Sequence, residues 1–283
     1  MLHTLSRLLN WDFIKMGKGI QSRHARCAGY WEPHLRCTRE FIDAHAHGGG
    51  RIAILGAGRL LDVDLGALLS RFSEIHLFDA DPTVLKTWRH ASGLAFRDRV
   101  VPRITDVTGS LKEWSAGLTQ AVRQKRLAVY LDSLQPRKGG WEHEAFDGII
   151  SLNLSGQIPI YWRDRVVSVA RTLSDEDEKA LINSMARLQS AHICAVRERA
   201  RAWSIMITDT EYYAYTVDRA EWDVEPALYG TTLQDINSPA SGIEKIADSR
   251  WLWHLVPQFI ESDEEGIIHR VEAFAWSSNN PKP

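Results

Sequence analysis

The residues best placed to do chemistry lie between positions 51 and 106. Arg51-Ile52-Ala53-Ile54-Leu55 is a short apolar run that ends in Gly56-Ala57-Gly58. Glycine suits a tight turn there, and a side chain would hold a ligand away from the backbone N–H groups. A second apolar run, 74–78, stops at Asp79, 21 residues after Gly58. A carboxylate so placed can accept hydrogen bonds from both hydroxyls of a ribose. A third run, 100–104, leads to Asp106 on the same edge, where it could receive the exocyclic amino group of an adenine. Each acid has a second reading. Asp81 competes with Asp79 for a ribose, although it fits better as an N-cap ahead of Pro82, and Asp106 fits equally as the cap of a helix beginning near Ser110. Asn153 fits as a turn after a fourth strand. The row predicts a site for a nucleoside-bearing ligand.

The elements that must carry this row alternate. Strands are expected at 51–55, 74–78, 100–104, 146–152 and 202–208, with helical spacing from Leu60 to Leu69, from Pro82 to Arg89, over 111–126 and over about 160–201. Alternation of this kind implies a doubly wound, mostly parallel α/β sheet with helices on both faces. The tail departs from it. Residues 251–258 and 266–276 both read as strands around a short acidic turn, hence an antiparallel C-terminal hairpin. Residues 1–47 read as amphipathic helix, with Leu2, Leu5, Leu8, Leu9 and Phe13 in a first half and Leu35, Phe41 and Ile42 in a second, broken at Gly17 and Gly19. The triple glycine 48–50 then marks a boundary between a helical N-terminal cap, 1–50, and a Rossmann-like domain, 51–283. Residues 132–145 and 230–249 read as surface loops.

Composition narrows the field. The chain has 283 residues, 34 basic against 36 acidic, for a formal net charge of -2. A phosphate-binding protein usually carries a basic excess, so a nucleic-acid acceptor is unexpected and a small-molecule one favoured. No apolar run approaches the roughly 18 residues of a membrane helix. Three cysteines, Cys27, Cys37 and Cys194, form no disulfide framework and suit a reducing compartment, so a cytoplasmic protein is expected. Cys27, His34 and Cys37 lack zinc-finger spacing. Asp43-x-His45-x-His47 has the look of a metal-binding strand, but its surroundings are helical, and no metal is expected. Eleven tryptophans point to a large aromatic core or cleft.

Two nucleoside ligands suit such an edge, a dinucleotide and S-adenosylmethionine. In Gly56-Ala57-Gly58-Arg59-Leu60-Leu61, Leu61 stands where the dinucleotide fingerprint has its third small residue. With the C-terminal hairpin, the chain over about 51–276 resembles the class I S-adenosylmethionine-dependent methyltransferases. The resemblance implies a seven-stranded sheet and S-adenosyl-L-methionine as cofactor. It places Gly56, Ala57 and Gly58 under the methionine part, Asp79 on ribose, Asp106 on adenine, and Asn153 in the segment bordering methyl transfer. Neither an Asn-Pro-Pro-Tyr motif nor a Pro-Cys pair is present, which argues against methylation of DNA adenine or of cytosine C5. The implied activity is methyl transfer to an O, N or C nucleophile. His34, Tyr161 and Asp209 are candidate bases for an acceptor that must lose a proton. An NAD(P)-dependent oxidoreductase and a non-catalytic nucleoside-binding protein are the alternatives.

Overall fold

The computed structural model of the chain describes residues 2–93, 98–217, 221–238 and 242–278, with 2–11 and 221 described by backbone alone. Its centre is a sheet of eight strands: β1 (Arg51–Leu55), β2 (Glu74–Asp79), β3 (Val100–Ile104), β4 (Gly148–Leu152), β5 (Trp203–Thr216), β6 (Glu221–Pro226), β7 (Ile243–Val256) and β8 (Gly266–Ser278). The order is β3-β2-β1-β4-β5-β8-β7, with β6 paired to β5 beside that path. Strands β1 to β5 run parallel, and β8 and β7 close the sheet as an antiparallel hairpin. This is the doubly wound fold that the alternating pattern and the resemblance imply, with one strand more than expected.

The faces follow from the period-2 alternation of side chains. Along β1, Ile52 and Ile54 enter one core and Ala53 and Leu55 the other, all without exposed surface. Helices α1 (Leu2–His45), α2 (Leu65–Arg71) and α3 (Leu85–Ser92) cover the first face. On the second lie α4 (Leu111–Arg123), α5 (Leu127–Ser133), α6 (Leu154–Ala170), α7 (Asp175–Arg199) and the short α8 (Leu233–Asn237). The central strands, buried on both sides, read as continuous apolar runs because no face meets water. Most tryptophans are core rather than cleft: Trp88, Trp114, Trp141 and Trp162 are among the largest fully buried side chains.

Several boundaries differ from the sequence reading. Residues 2–45 form a single 44-residue helix that passes through Gly17, Gly19 and Pro33. A helical glycine costs about 1 kcal/mol and a proline about 3. Burial of Cys27, Trp31, Leu35, Phe41 and Ile42, at roughly 1.5–3 kcal/mol for a large apolar side chain, outweighs both. The packing expected of Leu2, Leu5, Leu8 and Leu9 lies outside the described side chains. The helix expected from Leu60 starts only at Leu65, capped by Asp64, whose carboxylate accepts from the Ala67 N–H at 3.0 Å. Leu60 itself has φ +60. The stretch 160–201 is two helices, parted where Arg171 turns left-handed (φ +65) and Ser174 with Asp177 forms a capping box. Residues 132–145 are no mere surface loop, since Trp141 is buried and its Nε1–H donates to the Val107 carbonyl at 2.8 Å. Likewise 230–249 contains α8 and the start of β7, with 239–241 outside the described residues. Strand β5 runs on to Thr216, so the segment 208–213, expected to follow that strand, lies inside it. Pairing with both β6 and β8 keeps these Tyr- and Thr-rich residues extended.

Candidate functional site

At the carboxyl end of β1 the backbone turns through Gly56 (φ +73) and Gly58 (φ +48). A Cβ on Gly56 would lie 2.7 Å from Leu154 Cγ and 2.8 Å from the Leu152 carbonyl oxygen, so angle and space both demand glycine. The turn is tied to β2. The Gly56 and Ala57 N–H groups both donate to the Phe78 carbonyl, at 2.9 and 3.0 Å. The Gly58 N–H donates to Asp79 Oδ2 at 2.8 Å, and the Asp81 N–H to Asp79 Oδ1 at 2.8 Å. Trp88, on α3, props the turn from behind: its Nε1–H donates to the Gly58 carbonyl at 2.8 Å. Turn and carboxylate are therefore one built unit. Burial pushes the Asp79 carboxyl above its ordinary pKa, against the opposing pull of the Asp81 and Gly58 N–H groups. Each of its oxygens retains a lone pair for a ligand.

The competing roles of the other acids resolve by geometry. Asp81 caps the 3-10 turn at Pro82–Val84, accepting from the Thr83 N–H and the Thr83 hydroxyl, both at 2.8 Å. Helix α1 presses on it, since a Cβ at Gly17 would lie 2.1 Å from Asp81 Oδ2. Asp106 serves the start of α4: Oδ1 accepts from the Thr108 N–H (2.9 Å) and hydroxyl (2.8 Å), and Oδ2 from the Leu111 N–H (2.9 Å). Burial raises its pKa as well. Asn153 joins β4 to α6 in the left-handed region (φ +52), is 5% exposed, and has no partner for its Oδ1. Asparagine tolerates that backbone better than most residues, and an unpaired buried oxygen at a strand end marks a place for a ligand donor.

Gly56, Gly58, Asp79, Asp81, Asp106 and Asn153 line one cleft of about 1000 Å³, at the upper end of ligand-site volumes, whereas Ala57, expected beside them, is buried in the core. Its floor is the carboxyl edge of the sheet, and α1 forms its roof with Phe13, Met16, Gly17 and Ile20. The Phe13 ring stacks on Tyr161 of α6, centroids 4.4 Å apart.

Of the three candidate bases, the structure brings two to this cleft. His34 is closed off. The Trp251 Nε1–H donates to His34 Nδ1 at 2.9 Å, His34 Nε2 lies 3.3 Å from Asp62 Oδ1, and the ring stacks on Trp253 at 4.2 Å. It staples α1 to β7. Tyr161 lines the cleft with an unpaired hydroxyl, but burial pushes its phenol up, so it stays protonated and can only donate. Asp209 sits in β5 beside a bulge, buried, with Oδ2 3.3 Å from His269 Nδ1 and Oδ1 without a partner. The roles of Trp88, Gly17 and His269 were not legible in the sequence, because each acts on a residue far along the chain: Gly58, Asp81 and Asp209. Asp43, His45 and His47 stand at the end of α1 and beyond it; Asp43 pairs with Arg71 at 2.7 Å. Among the described residues no group of three His, Cys, Asp or Glu side chains could hold a metal ion. Nor is any helix there long and apolar enough to cross a membrane.

Fold and site together define an open, doubly wound α/β protein with a ligand cleft at the carboxyl ends of its strands, where such sheets bind their ligands. No family model and no curated protein matches the sequence. Among solved structures the chain is similar to a candidate RNA methyltransferase from Pyrococcus horikoshii, at 11% identity and a TM-score of 0.36, over 81% of this chain and 74% of that one. It is similar to a candidate tRNA (m1A22) methyltransferase from Streptococcus pneumoniae in complex with S-adenosyl-L-methionine, at 8% identity and a TM-score of 0.36, over 86% and 73%. A third is a SAM-dependent methyltransferase from Leishmania major, at 11% identity and a TM-score of 0.39, over 97% and 82%. The likeness is one of fold. Two of these three are described as acting on RNA or tRNA, which corrects the expectation of a small-molecule acceptor with nucleic acid set aside. Net charge is a sum over the whole surface and does not by itself exclude such an acceptor, although the acids lining this cleft outnumber its arginines, Arg23, Arg59 and Arg163.

Proposed function

We propose that the protein is an S-adenosylmethionine-dependent methyltransferase. The observation that carries the reading is the glycine turn bonded to Asp79 without a helix behind it. A dinucleotide seats its pyrophosphate on the N-terminus of the helix that opens directly from the turn. Here six residues separate Gly58 from Leu65, the first residue of α2, and the turn's own N–H groups are spent on Phe78 and Asp79, so the turn offers a nucleoside a carboxylate but offers a diphosphate neither free donors nor a helix dipole. The cleft-facing Asp79 carboxylate and the orphaned Asn153 Oδ1 fit a bound cofactor with a polar amino-acid part.

In this reading Gly56, Ala57 and Gly58 lie against the methionine portion, Asp79 accepts from the ribose hydroxyls, and Asn153 faces the reacting end. Asp106 supports the adenine side with the lone pair that its helix-capping bonds leave free. The bound cofactor would supply a methyl group on a positively charged sulfur, already a strong donor. What remains for the protein is alignment and exclusion of water, which can supply roughly 7–11 kcal/mol of the rate enhancement. The roof of α1 and the stacked Phe13–Tyr161 pair serve the second task. Titration calorimetry with S-adenosylmethionine, S-adenosylhomocysteine and NAD tests the reading. Binding of the first two and not the third is expected. Binding of NAD alone would overturn it.

A further inference from the structure

The strands order the cleft residues along one edge: Asp79 on β2, the glycine turn on β1, Asn153 after β4, Asp209 on β5 and His269 on β8. At about 4.8 Å between neighbouring strands, Asp209 stands two strands, or about 10 Å, from β1, and His269 about 14 Å. These two therefore occupy the far side of the cleft from the Asp79 carboxylate. The Asp209 side chain is 3% exposed and that of His269 12%. Asp209 Oδ2 lies at an ion-pair distance of 3.3 Å from His269 Nδ1, which makes no hydrogen bond in this arrangement, and Tyr212 (centroids 4.4 Å) and Trp253 (5.5 Å) pack on the imidazole from either neighbouring strand. No partner for His269 Nε2 occurs among the described residues.

We propose that His269, held by Asp209, takes the proton of the methyl acceptor, which is consequently an alcohol, phenol or amine that attacks through an O–H or N–H. This rests on the methyl-transfer reading. A buried carboxylate facing Nδ1 selects the tautomer with its proton there, which leaves the Nε2 lone pair free as base. In the step, the acceptor's oxygen or nitrogen forms its bond to the methyl carbon, and the carbon–sulfur bond breaks with its electron pair going to sulfur. The acceptor's proton passes to Nε2. One positive charge is lost at sulfur and one gained on the imidazolium, beside the Asp209 carboxylate. Other groups do not serve: His34 is closed off from the cleft and His192 is buried outside it against the Ser151 hydroxyl at 2.8 Å, while burial keeps the phenols of Tyr161 and Tyr212 protonated. The titratable groups facing His269 are Asp209 and Tyr212 on β5, while β7 brings the Trp253 ring. His269 is the catalytic residue here and Asp209 the positioning one.

The test begins with nitrogen-15 NMR of histidine-labelled protein, with H269Q assigning the resonances. An Nδ1-protonated imidazole at neutral pH is expected, with its tautomer mixture shifted in D209N. An Nε2-protonated ring in the wild type, or an unchanged ring in D209N, overturns the proposal. Transfer of tritiated methyl from S-adenosylmethionine into a whole-cell extract follows, beside calorimetry with S-adenosylhomocysteine. H269Q is expected to bind S-adenosylhomocysteine as the wild type does and to transfer about 100-fold more slowly. Equal transfer by H269Q overturns this proposal alone. A wild type that binds no S-adenosylhomocysteine overturns the methyltransferase reading and this proposal with it.

Discussion

Replacing Asp79 by alanine separates the structural from the ligand-binding work of that carboxylate. In the free protein it accepts from the Gly58 and Asp81 N–H groups, each at 2.8 Å. Alanine strands both donors. A stranded buried donor costs about 1–3 kcal/mol, and since the cleft admits water the lower end applies, for about 2 kcal/mol in urea unfolding. Two ribose hydroxyls would lose the same acceptor, which weakens nucleoside binding by another 1–3 kcal/mol, or about 5- to 150-fold. Calorimetry with S-adenosylhomocysteine reads the second effect and denaturant unfolding the first. The pH dependence adds a control. Burial raises the Asp79 pKa, so its contribution is complete below the unfolded carboxyl value of about 3.9 and is lost as pH rises through the folded one. Asp79→Ala should lack that slope. A weakened fold with unchanged affinity would move the ribose to Asp81; unchanged stability and affinity together would refute the turn–carboxylate unit itself.

Other perturbations test the supports of the site. Trp88→Phe removes the donor to the Gly58 carbonyl; it should cost about 1 kcal/mol in urea unfolding and weaken S-adenosylhomocysteine binding measurably by calorimetry. Gly17→Ala places a Cβ 2.1 Å from Asp81 Oδ2, displacing that cap at about 1 kcal/mol. Gly19→Ala, with nothing within 4 Å, should raise stability by up to about 1 kcal/mol, whereas at Gly17 the same helical gain is offset by the displaced cap, so only Gly19→Ala should raise the melting temperature. His192 is pushed by burial to a pKa of about 4. Its neutral form therefore contributes stability that is complete above the unfolded value of about 6.5 and is lost as pH falls toward 4, by about 3 kcal/mol. Unfolding of His192→Gln across pH 4–7 should show a flatter profile.

Much of the sheet was legible because its central strands are buried on both faces. Arg51–Leu55 and Gly148–Leu152 read as apolar runs whichever way their side chains point, and Gly56 ends the first as Asn153 ends the second. The hairpin of β7 and β8 was legible from its acidic turn. The long helices were less so. Gly17 and Gly19 read locally as a break, whereas the helix runs through because Trp31, Leu35 and Phe41 bury against the sheet. The extra strand β6 escaped notice although Glu221-Trp222-Asp223-Val224-Glu225 alternates acid with apolar residue as a strand does; its place in the sheet comes from pairing with β5. Of the site, the part next to β1 and β2 was visible and the part next to β5 and β8 only half so. Asp209 could be named from its place after a strand, but its partner lies 60 residues on, in an antiparallel strand whose register the sequence does not print.

The sequence by itself determined the order of strands and helices and the row of residues at the strand ends, since turn glycines, caps and apolar periodicity act over a few residues. Only the tertiary structure decided that Asp79 binds the glycine turn while Asp81 and Asp106 cap the helical turns that follow them, that α1 roofs the cleft, and that Asp209 meets His269. Those outcomes depend on contacts between segments distant in the chain, whose energies come from shared burial and from no local preference.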